Sequence, residues 1–133
     1  MNKINLLLCL ILVWTFTARS SAAPGDLDPT FGPVGFITTS LSTGTDRAFS
    51  AARQTDGKLV LAGIRNFNSV AVVRYNPNGT LDASFGNGGI VTTTLSGITQ
   101  ESAVAIQPDG KIVVAGYRVL KLVKNRQIFF TIT

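Results

Sequence analysis

Apolar and polar positions alternate along this chain in short runs, and a series of four such runs is then repeated. Phe36 to Leu41 is apolar and threonine-rich, a composition that favours strands. Ser42 to Asp46 follows as a polar loop, and Ala48 to Gln54 as a second, less apolar strand. Thr55-Asp56-Gly57 turns the chain, because Asp tolerates turn geometry and Gly accepts a positive φ. Lys58 to Ile64 reads as a third strand, apolar on both faces and so expected to be buried from both sides. Val70 to Tyr75 is the fourth, closed by the turn cluster Asn76-Pro77-Asn78-Gly79. Past the N-terminal segment nothing shows the 3.6-residue period of an amphipathic helix. The pattern predicts an all-β chain.

The same sentence is written twice. Leu27, Asp28, Phe31, Gly32, Gly35, Thr38, Thr39 and Leu41 recur 54 positions later as Leu81, Asp82, Phe85, Gly86, Gly89, Thr92, Thr93 and Leu95. After a one-residue deletion, Gln54, Asp56, Gly57, Lys58, Val60, Ala62 and Gly63 return as Gln107, Asp109, Gly110, Lys111, Val113, Ala115 and Gly116. A tandem unit of this length marks a propeller, solenoid or array. The organisation expected is a first repeat over 27–80 and a second over 81–133. Each is expected to form a four-stranded antiparallel sheet, the two sheets packing face to face with Val60 and Val113 at equivalent buried positions. The second repeat departs from the plan after about residue 117, where the VAVVRYNPNG signature of the first copy is replaced. That tail remains strand-prone over Val119 to Val123 and Ile128 to Thr133, with a hairpin expected about Lys124-Asn125-Arg126.

Ahead of the repeats stands a segment with the order of a secretory signal. Asn2 and Lys3 give a short basic start, Ile4 to Phe16 an apolar run broken only by Asn5 and Thr15, and Ala18 to Ala23 a small-residue stretch. Residues 1–22 are therefore expected to be removed and the chain to be secreted, periplasmic or at a cell surface. The apolar run is shorter than the roughly 20 residues of a membrane span. Cys9 follows Leu8, where a lipoprotein box needs a small residue, and reads as apolar filling.

Removing that segment removes the only Cys, Trp and Met, and the chain has no His. The formal charge of +5 overstates the basicity of the repeats. Lys3 and Arg19 leave with the signal, and Arg118, Lys121, Lys124 and Arg126 crowd the tail. Between Ala23 and Tyr117 stand six basic and seven acidic residues, so no basic groove for nucleic acid is expected. The tail reads as a lysine-decorated edge that discourages sheet aggregation, with no membrane contact after signal cleavage.

Candidate chemistry is sparse. Asp26, Asp28 and Asp82 are the candidate oxygen ligands for a cation such as Ca²⁺. Two carboxylates are too few for a calcium loop, and a turn aspartate accepting backbone N–H groups is the preferred reading of each. No metal and no cofactor is expected. Asp56 and Asp109 belong to hairpin turns. Glu101, the only glutamate, has no counterpart in the first copy. Without a positioned acid–base pair or an activated nucleophile, no catalytic residue is assigned and the chain is not expected to be an enzyme.

With LDPTFGPVG, TDGKLVLAG, VVRYNPNGTLDASFGNGG and QPDGKIVVAG on the page, residues 26–116 resemble the delta-60 repeat. The resemblance implies β-propeller blade modules in exported bacterial proteins, usually in long arrays, and brings no shared catalytic residues. Its motif is carried here by Leu27, Asp28, Phe31, Gly32, Gly35, Asp56, Gly57 and Gly63, and again by Leu81, Asp82, Phe85, Gly86, Gly89, Asp109, Gly110 and Gly116. Two blades do not close a ring, which takes about four. A blade also buries its core against neighbours. Leu59, Leu61, Ile112 and Val114 are expected to need a cover, at roughly 25 cal/mol per Å² of apolar surface. The expected role is a non-catalytic binding or scaffolding module of a larger propeller or array, met by a protein or surface partner or by self-association through blade faces. The alternatives are a truncated remnant without independent activity, and a fragment of a propeller-type hydrolase or lyase.

Overall fold

In the computed structural model, residues 23–95, 98–119 and 126–132 are described, and every regular element among them is a β-strand. They are β1 Asp46–Arg53, β2 Leu59–Arg65, β3 Ser69–Tyr75, β4 Ile90–Thr94, β5 Ile98–Ile106, β6 Ile112–Val119 and β7 Arg126–Ile132. Two antiparallel sheets result, a four-stranded β1-β2-β3-β4 and a three-stranded β5-β6-β7. The signal segment over 1–22 with Cys9, and the tail turn about Lys124-Asn125, lie outside the described residues.

The hairpins form where the repeated Asp-Gly pairs stand. The Gln54 N–H donates to the Lys58 carbonyl at 2.8 Å and the Gly57 N–H to the Gln54 carbonyl at 3.0 Å. Gly57 has φ 86°, the left-handed residue that closes a three-residue hairpin loop. Asp56 Oδ1 accepts the Lys58 N–H at 3.1 Å. The second copy repeats each contact: Gln107 N–H to Lys111 carbonyl at 2.8 Å, Gly110 N–H to Gln107 carbonyl at 2.9 Å, and Lys111 N–H to Asp109 Oδ1 at 3.1 Å. The first strand of each sheet also carries a bulge, at Ala48/Ser50 and at Gln100/Ser102. Opposite the first bulge lies Gly63, where a Cβ would overlap the Arg47 carbonyl. Close backbone approach therefore requires this glycine of the repeat.

The repeat and the sheet are out of phase by one strand. Phe36 to Leu41, expected as the first strand of the first sheet, enters no sheet, while its counterpart Ile90–Thr94 pairs with β3 of the preceding repeat. A strand needs a neighbour to satisfy its N–H and C=O groups. Ile90–Thr94 has β3, and among the described residues no strand precedes Phe36 to Leu41. The same offset leaves the second sheet with three strands among the described residues, where four were expected. The altered tail nonetheless works as a strand: β7 pairs with β6 as β3 pairs with β2.

The sheets do not meet through the same face. The core between them is built from Val60, Ala62, Val70 and Val72 of the first sheet, Ile112 and Val114 of the second, and Phe85. Val91, Leu95, Val104 and Ile106 pack around it. Ile112 and Val114 stand in the repeat where Leu59 and Leu61 do, so the second sheet presents the face that the first turns outward. Val60 is fully buried and Val113 only half-buried, which corrects the expectation that they share an environment. Ile112 and Val114, expected to need a cover, are 1% and 0% exposed and have that cover in the first sheet of the same chain. Successive units stack front to back, as blades in a ring do, and not as the mirrored halves of a sandwich. A Val104 N–H donated to Ser50 Oγ at 3.2 Å stitches β5 to β1 across the interface.

Candidate functional site: the clasp on the first sheet and the open face

The second copy of the LDxxFG motif, in the connection from β3 to β4, fastens onto the first sheet and sends Phe85 into the core between the sheets. Asp82 opens a tight turn in which its Oδ1 accepts the Ser84 N–H at 3.1 Å and the Ser84 hydroxyl at 2.7 Å. Its Oδ2 takes two cations of the first sheet, Arg74 Nε at 2.8 Å and Lys58 Nζ at 3.0 Å. Charge-assisted bonds of this kind hold best where water is scarce, and the Asp82 side chain is 7% exposed. The Ser84 hydroxyl, then Lys58 and then Arg74 hold its carboxyl far below the ordinary value, against the opposing pull of burial. The Arg74 guanidinium also lies 4.4 Å from the centroid of the Phe85 ring, which is itself sunk in the core between sheets.

The first copy of the motif makes only half of this clasp. Asp28 Oδ1 accepts the Thr30 N–H at 2.9 Å and its hydroxyl at 2.7 Å, so the turn is the same. The Gly32 N–H ties the motif to its own sheet through the Asn78 carbonyl at 2.8 Å. Asp28 is exposed, and among the described residues no cation reaches it. Phe31 is half-buried where Phe85 is buried, and Leu27 is 61% exposed.

The three candidate cation ligands are not brought together. Asp82 is held by Ser84, Lys58 and Arg74, Asp28 Oδ1 accepts from Thr30, and Asp26 Oδ2 accepts the Ala23 N–H at 3.3 Å. Each carboxylate accepts a backbone N–H from its own neighbourhood in the chain. No group of three His, Cys, Asp or Glu gathers among the described residues. The side chain of Glu101 lies outside the described residues. Asp46, not singled out from sequence, is a further fastening point. Its carboxylate accepts the Leu41 and Ser42 N–H groups, each at 2.9 Å, and the Ser42 hydroxyl at 2.7 Å.

Along the front of the first sheet runs a groove of about 210 Å³, lined among others by Ile37, Thr39, Leu41, Leu61, Val73 and Tyr75. Phe36 to Leu41 crosses this face with Ile37, Thr39 and Leu41 inward and Phe36, Thr38 and Ser40 exposed. The Tyr75 hydroxyl donates to Thr39 Oγ1 at 2.8 Å and Arg65 Nε to the Leu41 carbonyl at 2.7 Å. The segment therefore lies against the first sheet as β4, with Val91 and Leu95 inward, lies against the second.

Lys58 and Arg74 were not singled out from the sequence as site residues. The signal available was the recurrence of Lys58 as Lys111. Arg74 leaves none, because β7 places Ile132 at its register position.

Residues 54–85 and 107–121 match a family described as a domain of unknown function (DUF5122) beta-propeller. The chain is built of propeller-like repeats. Both matched segments begin at the equivalent glutamines, Gln54 and Gln107, and the longer ends at Phe85, so the matched unit runs from hairpin turn to clasp. No curated protein and no solved structure matches the chain.

Proposed function

We propose that the chain is an exported, non-catalytic repeat module of the delta-60 type, which presents a binding or scaffolding surface within a larger propeller or array. The observation that carries this reading is the front-to-back stack. It leaves two unlike faces open, the grooved front of the first sheet with Leu61 and Val73 and the outer face of the second with Val113 and Ala115. Such faces suit a protein partner or another set of blades, since each repeat buries its core against neighbours. The polar groups that recur between copies, Asp28/Asp82 and Asp56/Asp109, are engaged in turns, which favours a structural over a catalytic use. Export rests on the order of residues 1–22 and places the module in the periplasm, at a cell surface or outside the cell of a bacterium.

Light scattering coupled to size exclusion tests the reading. The purified chain is expected to elute as an oligomer or to require a blade-bearing partner. A cooperatively unfolding monomer at micromolar concentration overturns the role for the open faces. Export is checked by N-terminal sequencing, with a start at or near Ala23 expected.

A further inference from the structure

We propose that Phe36 to Ser40 of one copy pairs antiparallel with β7 of a second copy, completing its second sheet as β4 completes the first. The inference rests on the open-face reading above and names the occupant, a second copy of this chain.

The fold supplies both a donor and an acceptor. The donor FITTS repeats IVTTT of β4, is already extended across the front of the first sheet, and enters no sheet of its own. Its outward Phe36 is 54% exposed, whereas Ile90, the counterpart, is half-buried and paired with Val73. The acceptor is the outer edge of β7, which no other strand among the described residues pairs and which holds the register position of β3. Val60 opposes Arg74, and its counterpart Val113 opposes Ile132. Carrying the β3–β4 register over places Phe36 opposite Thr131 and Ser40 opposite Gln127, as Ile90 stands opposite Val73 and Thr94 opposite Ser69.

The charges agree. Lys111 stands where Lys58 does. Lys58 reaches Asp56 at 3.7 Å and Asp82 at 3.0 Å, while Lys111 has Asp109 alone among the described residues, at 2.7 Å. Docking the second copy by the internal geometry brings the exposed Asp28 to Lys111. It also lays the front of one first sheet on Val113 and Ala115 of the other molecule. The contact is head to tail, so repeating it builds a ring or a filament.

The test uses the full chain with Cys9→Ser, which removes its only thiol. One preparation carries Ser40→Cys and another Gln127→Cys. Directly opposed antiparallel residues lie about 4.5–5.5 Å apart at Cα, within disulfide reach. On mixing and mild oxidation a linked heterodimer is expected, at least severalfold more than from Thr43→Cys with Gln127→Cys, which is out of register. Equal linking of the two pairs, or none, overturns the proposal. The unsubstituted chain provides a second reading, in which amide exchange over 36–40 slows as concentration rises. Exchange independent of concentration overturns the pairing even if the cysteine variants fold poorly. Light scattering on the same samples separates the two claims. Assembly without in-register linking leaves the open-face module and removes the strand pairing, and a stable monomer removes both.

Discussion

Val60 and Val113 each stand three residues beyond a hairpin glycine, at the same place in the repeat, and face opposite neighbours. Val60 is sealed between the sheets, and Val113 looks outward from the second. Two like units stacked by a repeated rotation meet through unlike faces, so one position of the repeat is buried in one copy and more open in the other. Val60→Thr, nearly isosteric, places a hydroxyl in the core and is expected to cost about 1–3 kcal/mol. Val113→Thr is expected to stay within about 0.5 kcal/mol at concentrations where copies are separate. Urea midpoints of the two variants check this, and equal losses would show the sheets to be packed through the same face.

Phe85 and Phe31 give a second asymmetric pair. Phe85 is 8% exposed, belongs to the core between sheets and carries the Arg74 guanidinium on its ring. Phe85→Ala is expected to cost about 3–5 kcal/mol, the range for emptying an aromatic core site. Phe31→Ala, at a ring already half in water, is expected to cost less than about 2 kcal/mol. Thermal or urea unfolding of both variants decides it, and a Phe31 loss as large as that of Phe85 would mean that the first motif is already covered.

The strands, hairpins and turn aspartates were legible because they are local. Asp-Gly dictates a turn wherever it stands, and Lys58 to Ile64 carries its apolarity in consecutive residues. The phase between repeat and sheet was not legible. Phe36 to Leu41 and Ile90 to Leu95 read alike, and only the presence of β3 before the second makes it a strand. Nor does apolarity tell which face of Leu59-Val60-Leu61 meets the neighbour, because both faces are apolar and the choice is made by stacking direction. The clasp was half legible: Asp82 recurs, while Arg74 has no counterpart in β7, where Ile132 holds its register position.

Two glycines separate conformational strain from lack of room. Gly110 has φ 85° and open space around a Cβ, so Gly110→Val is expected to cost about 1–3 kcal/mol through backbone strain alone. Gly110→Asn is expected to recover much of that, since Asn tolerates the left-handed region. Gly63 has no such φ but faces the Arg47 carbonyl. Gly63→Ala is expected to cost about 1–3 kcal/mol by forcing the bulge of β1 to move. Asn at that position, being larger still, is expected to be worse than Ala. Stability of the four variants by urea denaturation reads out the opposite responses to Asn. A Gly63→Asn variant as stable as Gly63→Ala would remove the steric account.

Acid should unfold the chain for reasons written in its turns. Asp28, Asp46, Asp82 and Asp109 are all held below the ordinary carboxylate value. Thr30 does this for Asp28 and Lys111 for Asp109. At Asp46, burial pushes the carboxyl up but is outweighed by bonds from Ser42, Leu41 and Asn66. The folded chain therefore binds fewer protons than the unfolded chain once the pH approaches the unfolded carboxylate value, near 3.9. The stability these groups contribute is fully present above that value and is lost as the pH falls through it toward the folded values. With no histidine in the chain, a flat plateau is expected from about pH 6 to 8 and a falling urea midpoint from about pH 5 downward. Asp82→Asn keeps the side-chain shape but cannot ionise. It is expected to lower the midpoint at pH 7 and to flatten the acid slope, because Lys58 and Arg74 lose their shared carboxylate at every pH. A chain more stable at pH 3 than at pH 7, or an Asp82→Asn variant with the same acid slope as the parent, would show that the clasp does not hold the β3–β4 connection to the first sheet.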